Sequence, residues 1–169
     1  MESASVLEHE LAELHPLSFG WALSCCRYDR VEAEEVLQTS YLKILSGRAR
    51  FDRRSSFKTW LFGVIRRTAA EARKRHLLAR IFLARMERYR PERAEVPPGP
   101  SSDPSVVSLL RGLARRQREV LELVFYQDLS LREAAAVMGV SLGSARVHYH
   151  RGKENLREAL AARPRRGAG

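Results

Sequence analysis

The chain has 169 residues, with 30 basic and 20 acidic side chains, a net charge of +10 and a pI of about 10.4. This length allows one or two small domains with a hydrophobic core, and no apolar run approaches the ~20 residues of a membrane helix. The two cysteines are adjacent and no spaced Cys/His set exists, which argues against a disulfide framework or a metal site. No secretory signal is visible at the acidic N-terminus, so we expect a reduced, cytoplasmic protein without membrane insertion.

The charge is distributed unevenly along the chain. Residues 1–47 carry three basic and eight acidic side chains, residues 48–95 fifteen and five, and residues 96–169 twelve and seven. An acidic head followed by two basic segments suggests one protein partner and one polyanion. A solvated Arg-rich face has the same composition, so the motifs have to decide between the two interpretations.

The N-terminal half is predicted to be helical, because apolar residues recur at helical spacing and β-branched runs are short. The sequence leaves open whether the first ~14 residues have a role of their own or only lead into the first helix. The predicted elements are a helix from Leu7 to about Cys26 with a kink allowed at Pro16, a turn over residues 27–30, a helix from near Glu32 to Gly47, a loop over residues 48–54, and a long helix capped by Ser55 or Ser56 that ends near Met86.

A proline-rich stretch divides the chain. The segment VPPGPSSDPS holds four prolines, which rule out a continuous helix. We predict an all-α protein of two small helical domains, residues 1–90 and 105–162, joined by a flexible or extended linker over residues 91–104 and followed by a disordered basic tail over residues 163–169.

Along the N-terminal domain, the segment EAEEVLQTSYLKIL forms an amphipathic helix on a helical wheel. Its predicted core side carries Ala33, Leu37, Ser40, Tyr41 and Ile44, and its outward side carries Glu35, Gln38, Thr39 and Leu42. An exposed Leu42 beside acidic and amide groups is a candidate anchor for a partner helix, although one exposed leucine is also ordinary surface.

The next segment, FDRRSSFKTWLFGVIRRTAAEARKR, interleaves aromatic and basic residues. Basic groups hold phosphates while aromatic rings stack on unpaired bases, a combination suited to single-stranded nucleic acid. The alternative is a helix whose aromatics all belong to the core, and Trp60 is expected to be partly buried. The aromatics are Phe57, Trp60 and Phe62, and the basic face is predicted from Arg66, Arg67, Lys74 and Arg75.

After the linker we predict helices near residues 106–114 and 116–126, and then a helix-turn-helix pair between Leu129 and Leu160. Ser130 and Glu133 fit a capping box, and Gly139 supplies the positive φ of a tight turn. Leu131, Ala135 and Met138 are expected in the core. The second helix, capped by Ser141, is expected to bury the stripe Ala145, Tyr149, Gly152 and Leu156.

The outward face of that second helix has small residues near its N-terminus, so it can approach a DNA groove closely. Arginines there can bond phosphates or guanine edges, and serines at the positive helix end can hold phosphates. The alternative is an ordinary helical hairpin with a solvated basic face. His148 and His150 lie two residues apart on different sides of the helix, so no metal site is predicted. The candidate DNA contacts are Ser141, Ser144, Arg146, Val147, His150 and Arg151.

Together these motifs resemble the extracytoplasmic-function (ECF) group of bacterial RNA polymerase sigma factors, over roughly residues 15–160. DRVEAEEVLQTSYLKIL resembles the region 2.2 helix, which implies binding to the coiled coil of the polymerase β′ subunit. FDRRSSFKTWLFGVIRR resembles regions 2.3 and 2.4, which implies recognition and melting of the −10 element. RQREVLELVFYQDLSLREAAAVMGVSLGSARVHYHRGKENLRE resembles region 4, which implies recognition of the −35 element and contact with the β flap.

The resemblance implies roles by position. An anti-sigma protein that covers the polymerase-binding surface is also implied as a partner. The residues implied to contact core polymerase are Glu35, Gln38 and Leu42. Those implied to contact the −10 element are Phe57, Lys58, Trp60, Arg66, Arg67, Lys74 and Arg75. The outward face of the second helix of the helix-turn-helix is implied to contact the −35 element.

The sequence departs from the family pattern at five places. The fold and the binding to core polymerase are still expected, but the preferred promoter sequence is not predicted. Arg67 stands where Asn is common, Glu71 where Asp is usual, His148 where Arg is common, Gly152 where Ala is usual, and Arg27-Tyr28 where Thr-Gly is usual.

The leading hypothesis is a dissociable transcription initiation factor with no catalytic centre and no cofactor. A stand-alone helix-turn-helix regulator with a sensor or dimerisation domain is the alternative, but such a domain needs neither FDRRSSFKTWLF nor the EAEEVLQ helix. A hydrolytic enzyme is disfavoured, because the five histidines are scattered and no HExxH, GxSxG or Gly-rich phosphate loop occurs.

Overall fold

The computed structural model describes residues 2–86 and 104–162. The chain divides into two compact units, Met1–Gly99 and Pro100–Gly169. The predicted linker up to residue 103 and the predicted tail lie outside the described residues. No helix within the described ranges is long and apolar enough to cross a membrane. The helices of the first unit are α1 (Glu2–Glu13), α2 (His15–Cys25), α3 (Arg30–Leu45) and α4 (Phe57–Met86); those of the second are α5 (Pro104–Gly112), α6 (Arg115–Phe125), α7 (Leu131–Met138) and α8 (Leu142–Ala161).

The prediction of one continuous first helix is wrong, because α1 and α2 are separate helices that meet at Leu14. Pro16 lies in the first turn of α2, where its missing N–H costs nothing. Inside a continuous helix the same ring would clash with the preceding turn and remove a hydrogen bond. The proline therefore ends the first helix instead of only kinking it.

The core of the N-terminal unit is built where α2, α3 and α4 pack together. Trp21 of α2 is completely buried, its ring stacks on Phe62 of α4, and its Nε1 donates a hydrogen bond of 3.0 Å to the Phe62 carbonyl. A buried indole with its N–H satisfied contributes apolar area without a polar penalty. This pair fixes which side of α4 faces inward.

The predicted two sides of α3 are confirmed. The core side is buried, with Tyr41 half-buried, and Val36 joins it. The helix begins two residues earlier than predicted, because the Asp29 side chain caps it by accepting a hydrogen bond of 3.0 Å from the Glu32 N–H. Ser56 caps α4 in the same way, accepting from the Thr59 N–H at 3.2 Å, and that helix ends at Met86 as predicted.

The turn between α2 and α3 contains one departure from the family pattern, Arg27-Tyr28. Arg27 and Tyr28 both have positive φ angles, of 56° and 66°. This left-handed backbone is where a glycine is easily accommodated and where other residues are strained. The Tyr28 N–H nevertheless donates a hydrogen bond of 2.7 Å to the Leu23 carbonyl, which closes the end of α2.

The C-terminal unit has the predicted helix-turn-helix. Ser130 and Glu133 form both hydrogen bonds of the capping box, and Gly139 adopts the left-handed conformation with φ of 64°. Ala135 and Met138 are buried, while Leu131 is half-buried. α6, α7 and α8 pack on one another and α5 packs on α8. α5 and α6 each begin one or two residues earlier than predicted.

Candidate nucleic-acid and protein interfaces

The N-terminal end of α8 presents the two predicted phosphate-binding serines. Ser141 caps the helix by accepting a hydrogen bond of 3.1 Å from the Ser144 N–H, and its hydroxyl donates to the Ser144 hydroxyl at 2.9 Å. Both side chains are exposed. The hydroxyl pair therefore lies at the positive end of the helix dipole, where an anion is favoured.

The remaining predicted −35 contacts share the exposed face of α8. Gly143, Val147 and Arg151 follow one another at intervals of one turn, and Arg146 and His150 lie beside them. The opposite side buries Ala145 and Gly152, with Tyr149 and Leu156 half-buried against the core. The structure thus brings the predicted set to one side of one helix, and the predicted stripe faces the core.

Gly152 sets how closely α8 approaches α6. A Cβ atom at this position would lie 3.2 Å from the Gln117 Cβ, 3.2 Å from Leu121 Cδ1 and 3.3 Å from the Gln117 carbonyl oxygen. One turn further along, the Asn155 amide donates a hydrogen bond of 2.9 Å to the Gln117 side chain. The departure from Ala at this position therefore allows the two helices to pack closer than a methyl group permits.

The predicted −10 residues do not form a single face of α4. Trp60, Arg67 and Lys74 are seven residues apart and lie along one side of the helix. Arg66 and Arg75 are nine residues apart, two and a half turns, so they leave the helix in opposite directions. Arg66 is also half-buried, whereas Arg67, Lys74 and Arg75 are exposed.

The predicted aromatic set divides between the surface and the core. Phe62 is completely buried against Trp21, so it has no access to a base. Phe57 and Trp60 are half-buried and cluster with Phe51, with ring centroids 5.3–5.4 Å apart. Sequence reasoning missed Phe51, although an aromatic residue that opens a basic loop was the available signal.

Lys58 lies between these two environments. It is half-buried, and its ammonium lies 5.7 Å from the centroid of the Phe62 ring. A cation over an aromatic face is held by the ring quadrupole. Lys58, one of the seven predicted −10 residues, is therefore held against the buried Phe62 ring.

The outward side of α3 is an exposed stripe. Glu35, Gln38 and Leu42 are all exposed, Leu42 by 62%. Val31 and Leu45, at 69% and 51% exposure, continue the stripe at both ends and were not in the predicted set. A groove of about 650 Å³ runs beside it, between α3 and the start of α2. Exposed apolar side chains with polar ones beside them are the composition that suits a docked helix.

Glu71, another departure from the family pattern, has a structural contact. Its carboxylate accepts a hydrogen bond of 2.6 Å from the Lys43 ammonium, which also donates to the Thr68 hydroxyl at 3.2 Å. Lys43 is on α3 and Glu71 on α4, so the pair links these two helices. Glu71 is exposed, and exposed ion pairs of this kind are worth little individually.

The two cysteines are buried, and neither forms a disulfide. Burial raises the pKa of the Cys26 thiol to about 12, and the nearby Glu32 carboxylate adds to the increase. A thiol that stays protonated at neutral pH is neither a nucleophile nor a metal ligand. Over the described ranges no group of three His, Cys, Asp or Glu could hold a metal ion.

Two family models match the two units. Residues 11–77 match "Sigma-70 region 2" and residues 105–156 match "Sigma-70, region 4". The chain is 31% identical to the RNA polymerase sigma factor CarQ of Myxococcus xanthus, over 76% of this chain and 74% of that protein. It is 29% identical to the ECF RNA polymerase sigma factor SigC of Mycobacterium tuberculosis, over 80% of this chain and 74% of that protein.

A solved structure shares the fold. The sigma factor RpoE of Bartonella quintana, in complex with the anti-sigma factor NepR, superposes with a TM-score of 0.72, at 24% identity over 94% of this chain and 98% of that one. The chain belongs to the sigma-70 family of RNA polymerase sigma factors, in the ECF group.

Sigma factors direct transcription initiation and are not enzymes, and they bind core RNA polymerase and promoter DNA. The leading hypothesis from the sequence is confirmed at this level. The stand-alone regulator with a sensor domain is set aside, because region 2 of a sigma factor occupies the place of that sensor.

Proposed function

We propose that three surfaces of this sigma factor divide the work of initiation. The outward stripe of α3 (Glu35, Gln38 and Leu42) docks on the β′ coiled coil of core polymerase. The Trp60 side of α4 holds the melted −10 element. The exposed face of α8 enters the major groove of the −35 element, while the C-terminal unit contacts the β flap. We assign residues 1–90 to the first two tasks and residues 105–162 to the third.

The observation that carries this proposal is the 62% exposure of Leu42 on a helix whose other side is buried. A large exposed leucine flanked by Glu35 and Gln38 has no role in the core. It matches the apolar anchor with a polar rim that protein interfaces use. The neighbouring Val31 and Leu45 lengthen this surface to about four helical turns.

The assignment of the −10 element is narrower than the sequence predicted. Trp60 with Phe51 and Phe57 offers aromatic faces for unpaired bases, and Arg67 and Lys74 lie on the same side to hold the phosphates between them. Arg66 and Arg75 leave α4 on the two flanks and serve the duplex on either side. Lys58 supports Phe62 and the ring cluster more than it contacts DNA.

The assignment of the −35 element uses the whole predicted set. Ser141 and Ser144 hold a backbone phosphate at the end of the helix, and Arg146 and Arg151 reach base edges or phosphates on either side of Val147. Gly143 leaves room for the backbone of α8 to enter the groove. His150 lies on the same side as Arg146.

We also propose that an anti-sigma protein restrains this factor in the cytoplasm by covering the α3 stripe. The solved relative with an anti-sigma factor bound supports such a partner for this fold. Covering Leu42 would compete directly with core polymerase, because the same apolar anchor cannot serve two partners at once.

The test is run-off transcription with core polymerase on a pool of promoter fragments, comparing wild type with Leu42→Arg and Leu83→Arg. Leu83 is 57% exposed on α4 and belongs to none of the three surfaces, so it is a matched control. We expect discrete transcripts with wild type and Leu83→Arg, and none with Leu42→Arg, because a buried unpaired charge costs several kcal/mol in an interface. Full transcription by Leu42→Arg would contradict the assignment of α3.

A further inference from the structure

Two exposed apolar surfaces of the N-terminal unit lie outside the three assigned surfaces, apart from Leu45, which one of them shares with the α3 stripe. The first is a groove of about 450 Å³ between α1 and the end of α3, which we call the α1 groove. The second is the end of α4 from residue 78 to Met86, which we call the α4 tip. Both reach beyond the residues that match region 2, which are 11–77. The α1 groove is lined by Glu8, Leu11, Ala12, His15, Tyr41 and Leu45.

The α1 groove is apolar inside and acidic at its edge. Its lining residues on α1 are Glu8, Leu11 and Ala12, which follow one another at i, i+3 and i+4 and so form one side of that helix, and His15 is the first residue of α2. Leu11 is the buried floor, and Leu45 of α3 is half open at 51% exposure. Glu8 is the acidic residue at the edge of the groove, and α1 contains no lysine or arginine. A helix that fits this groove needs apolar anchors and a basic residue.

The α4 tip has the complementary composition. The last buried residue of α4 is Ala72, and beyond it the described residues leave the helix uncovered. Leu78, Ile81, Phe82 and Met86 are 47–71% exposed and share one side at i, i+3, i+4 and i+8. Arg85 lies on the same side. Exposed apolar stripes of this size mark docking surfaces in soluble proteins.

The α4 tip spans about 12 Å from Leu78 to Met86, and the part of the groove that α1 lines spans about 6 Å from Glu8 to Ala12, at a helical rise of ~1.5 Å per residue. His15, Tyr41 and Leu45 extend the groove beyond α1. Among the described residues of one copy neither surface is covered by another helix, since α1 packs on α2 and α4 packs on α2 and α3. The two surfaces match each other in polarity and, through Glu8 and Arg85, in charge.

We propose that the α4 tip of one copy docks in the α1 groove of a second copy, and that the second copy does the same in return. Such an exchange closes into a two-fold symmetric dimer with two identical contacts. In each contact apolar anchors at i, i+3 and i+4 enter the groove, and Arg85 faces the acidic edge at Glu8. The partner is thus the chain itself.

The dimer has a regulatory consequence, which rests on the proposed polymerase surface. Leu45 lines the α1 groove and also ends the α3 stripe that carries Leu42. A helix docked against Leu45 lies beside Leu42 and obstructs the β′ coiled coil. Self-association and polymerase binding are therefore mutually exclusive, and the factor that is not bound to polymerase forms an inactive dimer.

Sedimentation velocity of the full chain over a wide concentration range tests the dimer without polymerase. We compare wild type with Leu78→Glu and with the matched control Leu83→Glu, whose leucine is 57% exposed against 56% for Leu78 but points away from the stripe. We expect a concentration-dependent dimer for wild type and Leu83→Glu. Leu78→Glu should raise the dimer dissociation constant about tenfold or more, because a charge replaces an anchor at the centre of the contact.

A charge exchange identifies the partner surface. Arg85→Glu and Glu8→Arg should each weaken the dimer, because each places like charges across both contacts. Their mixture should restore it as a mixed dimer in which every contact again pairs opposite charges, and the double variant in one chain should restore it as well. A monomer at all concentrations, a dimer that Leu78→Glu leaves unchanged, or a mixture that stays monomeric would each overturn the proposal.

The two proposals fail separately. If the chain is a monomer while Leu42→Arg still abolishes transcription, the polymerase surface stands and the dimer falls. If the dimer forms but core polymerase binds it without dissociating it, the obstruction of Leu42 is wrong and the contact between copies remains.

Discussion

The two helices that we propose contact DNA carry similar charge and present it in different ways. On α8 the exposed face begins with Ser141, Gly143 and Ser144, and it carries no Phe, Tyr or Trp ring. On α4 the working side begins with Trp60, which clusters with Phe57 and Phe51, and the basic residues follow one and two heptads later. Small residues let a helix enter a closed duplex groove, whereas rings offer faces to bases that have left the duplex.

The comparison teaches that basic charge does not distinguish the two tasks. On the proposed assignments, charge supplies affinity for the DNA backbone on both helices, and the neutral neighbours decide whether the DNA is held as a duplex or as a single strand. Both helices also divide into a buried side and a working side, and each side can be changed separately.

The largest expected effect on stability distinguishes the buried core of the N-terminal unit from its aromatic surface. This unit holds both tryptophans of the chain, Trp21 and Trp60. Trp21→Ala removes a completely buried ring and its hydrogen bond to the Phe62 carbonyl, and should cost about 3–5 kcal/mol of stability. Trp60→Ala removes a half-buried ring, and should cost about 1 kcal/mol while lowering promoter melting. Calorimetry of the full chain and permanganate detection of melted promoter DNA measure the two quantities.

Trp60→Ala is the control for Trp21→Ala, since both remove an indole from the same unit. The transition of the C-terminal unit should stay unchanged in both variants. An equal loss of stability in the two variants would mean that Trp60 belongs to the core, and the aromatic surface on α4 would be wrong.

A smaller effect on stability distinguishes two glycines of α8, one packed against α6 and one on the exposed face. Gly152→Ala places a Cβ at 3.2 Å from Gln117 Cβ and Leu121 Cδ1, and should destabilise the C-terminal unit by about 1–3 kcal/mol. Gly143→Ala meets only the Ser141 hydroxyl, at 3.9 Å, and should stabilise the helix by up to about 1 kcal/mol through helix propensity. Thermal unfolding gives both signs, and stabilisation by both alanines would show that α6 and α8 can separate without cost.

The local features of both helices could be predicted from the sequence. Ser130 with Glu133, Gly139 and Ser141 follow rules that act within four residues, and the structure has all of them. The two sides of α3 follow from helical periodicity for the same reason.

The division of the aromatics could not be predicted in this way. Phe57, Trp60 and Phe62 have the same local signal, and burial of Phe62 is decided by Trp21, which is 41 residues away. Phe51 joins the surface cluster across a loop, and Lys43 reaches Glu71 from another helix. Contacts between helices depend on how the helices pack, and a helical wheel contains no information on packing partners.

A pH experiment sharpens the contrast between the units, because both cysteines lie in the first one. The pKa of Cys26, raised to about 12 by burial, lies above that of the unfolded thiol. The stability that the buried, protonated Cys26 thiol contributes is therefore fully present below the pKa of the unfolded thiol. It is lost as the pH rises toward the pKa of the folded thiol, at about 1.4 kcal/mol per pH unit. The difference in unfolding free energy between wild type and Cys26→Ala should decrease over that range; a constant difference would contradict the burial of the thiol.

The smallest effect tests the central contrast directly, through salt. Arg151 is exposed on α8, and if it holds a duplex phosphate, Arg151→Ala should reduce the salt slope of −35 binding by about 0.9 log units. Trp60→Ala should weaken binding to single-stranded −10 DNA and leave its salt slope unchanged, because stacking releases no counterions. Titrations with duplex and single-stranded DNA at several salt concentrations measure both slopes. A changed slope for Trp60→Ala would mean that the ring positions a phosphate contact rather than a base, and the two helices would then hold DNA in the same way.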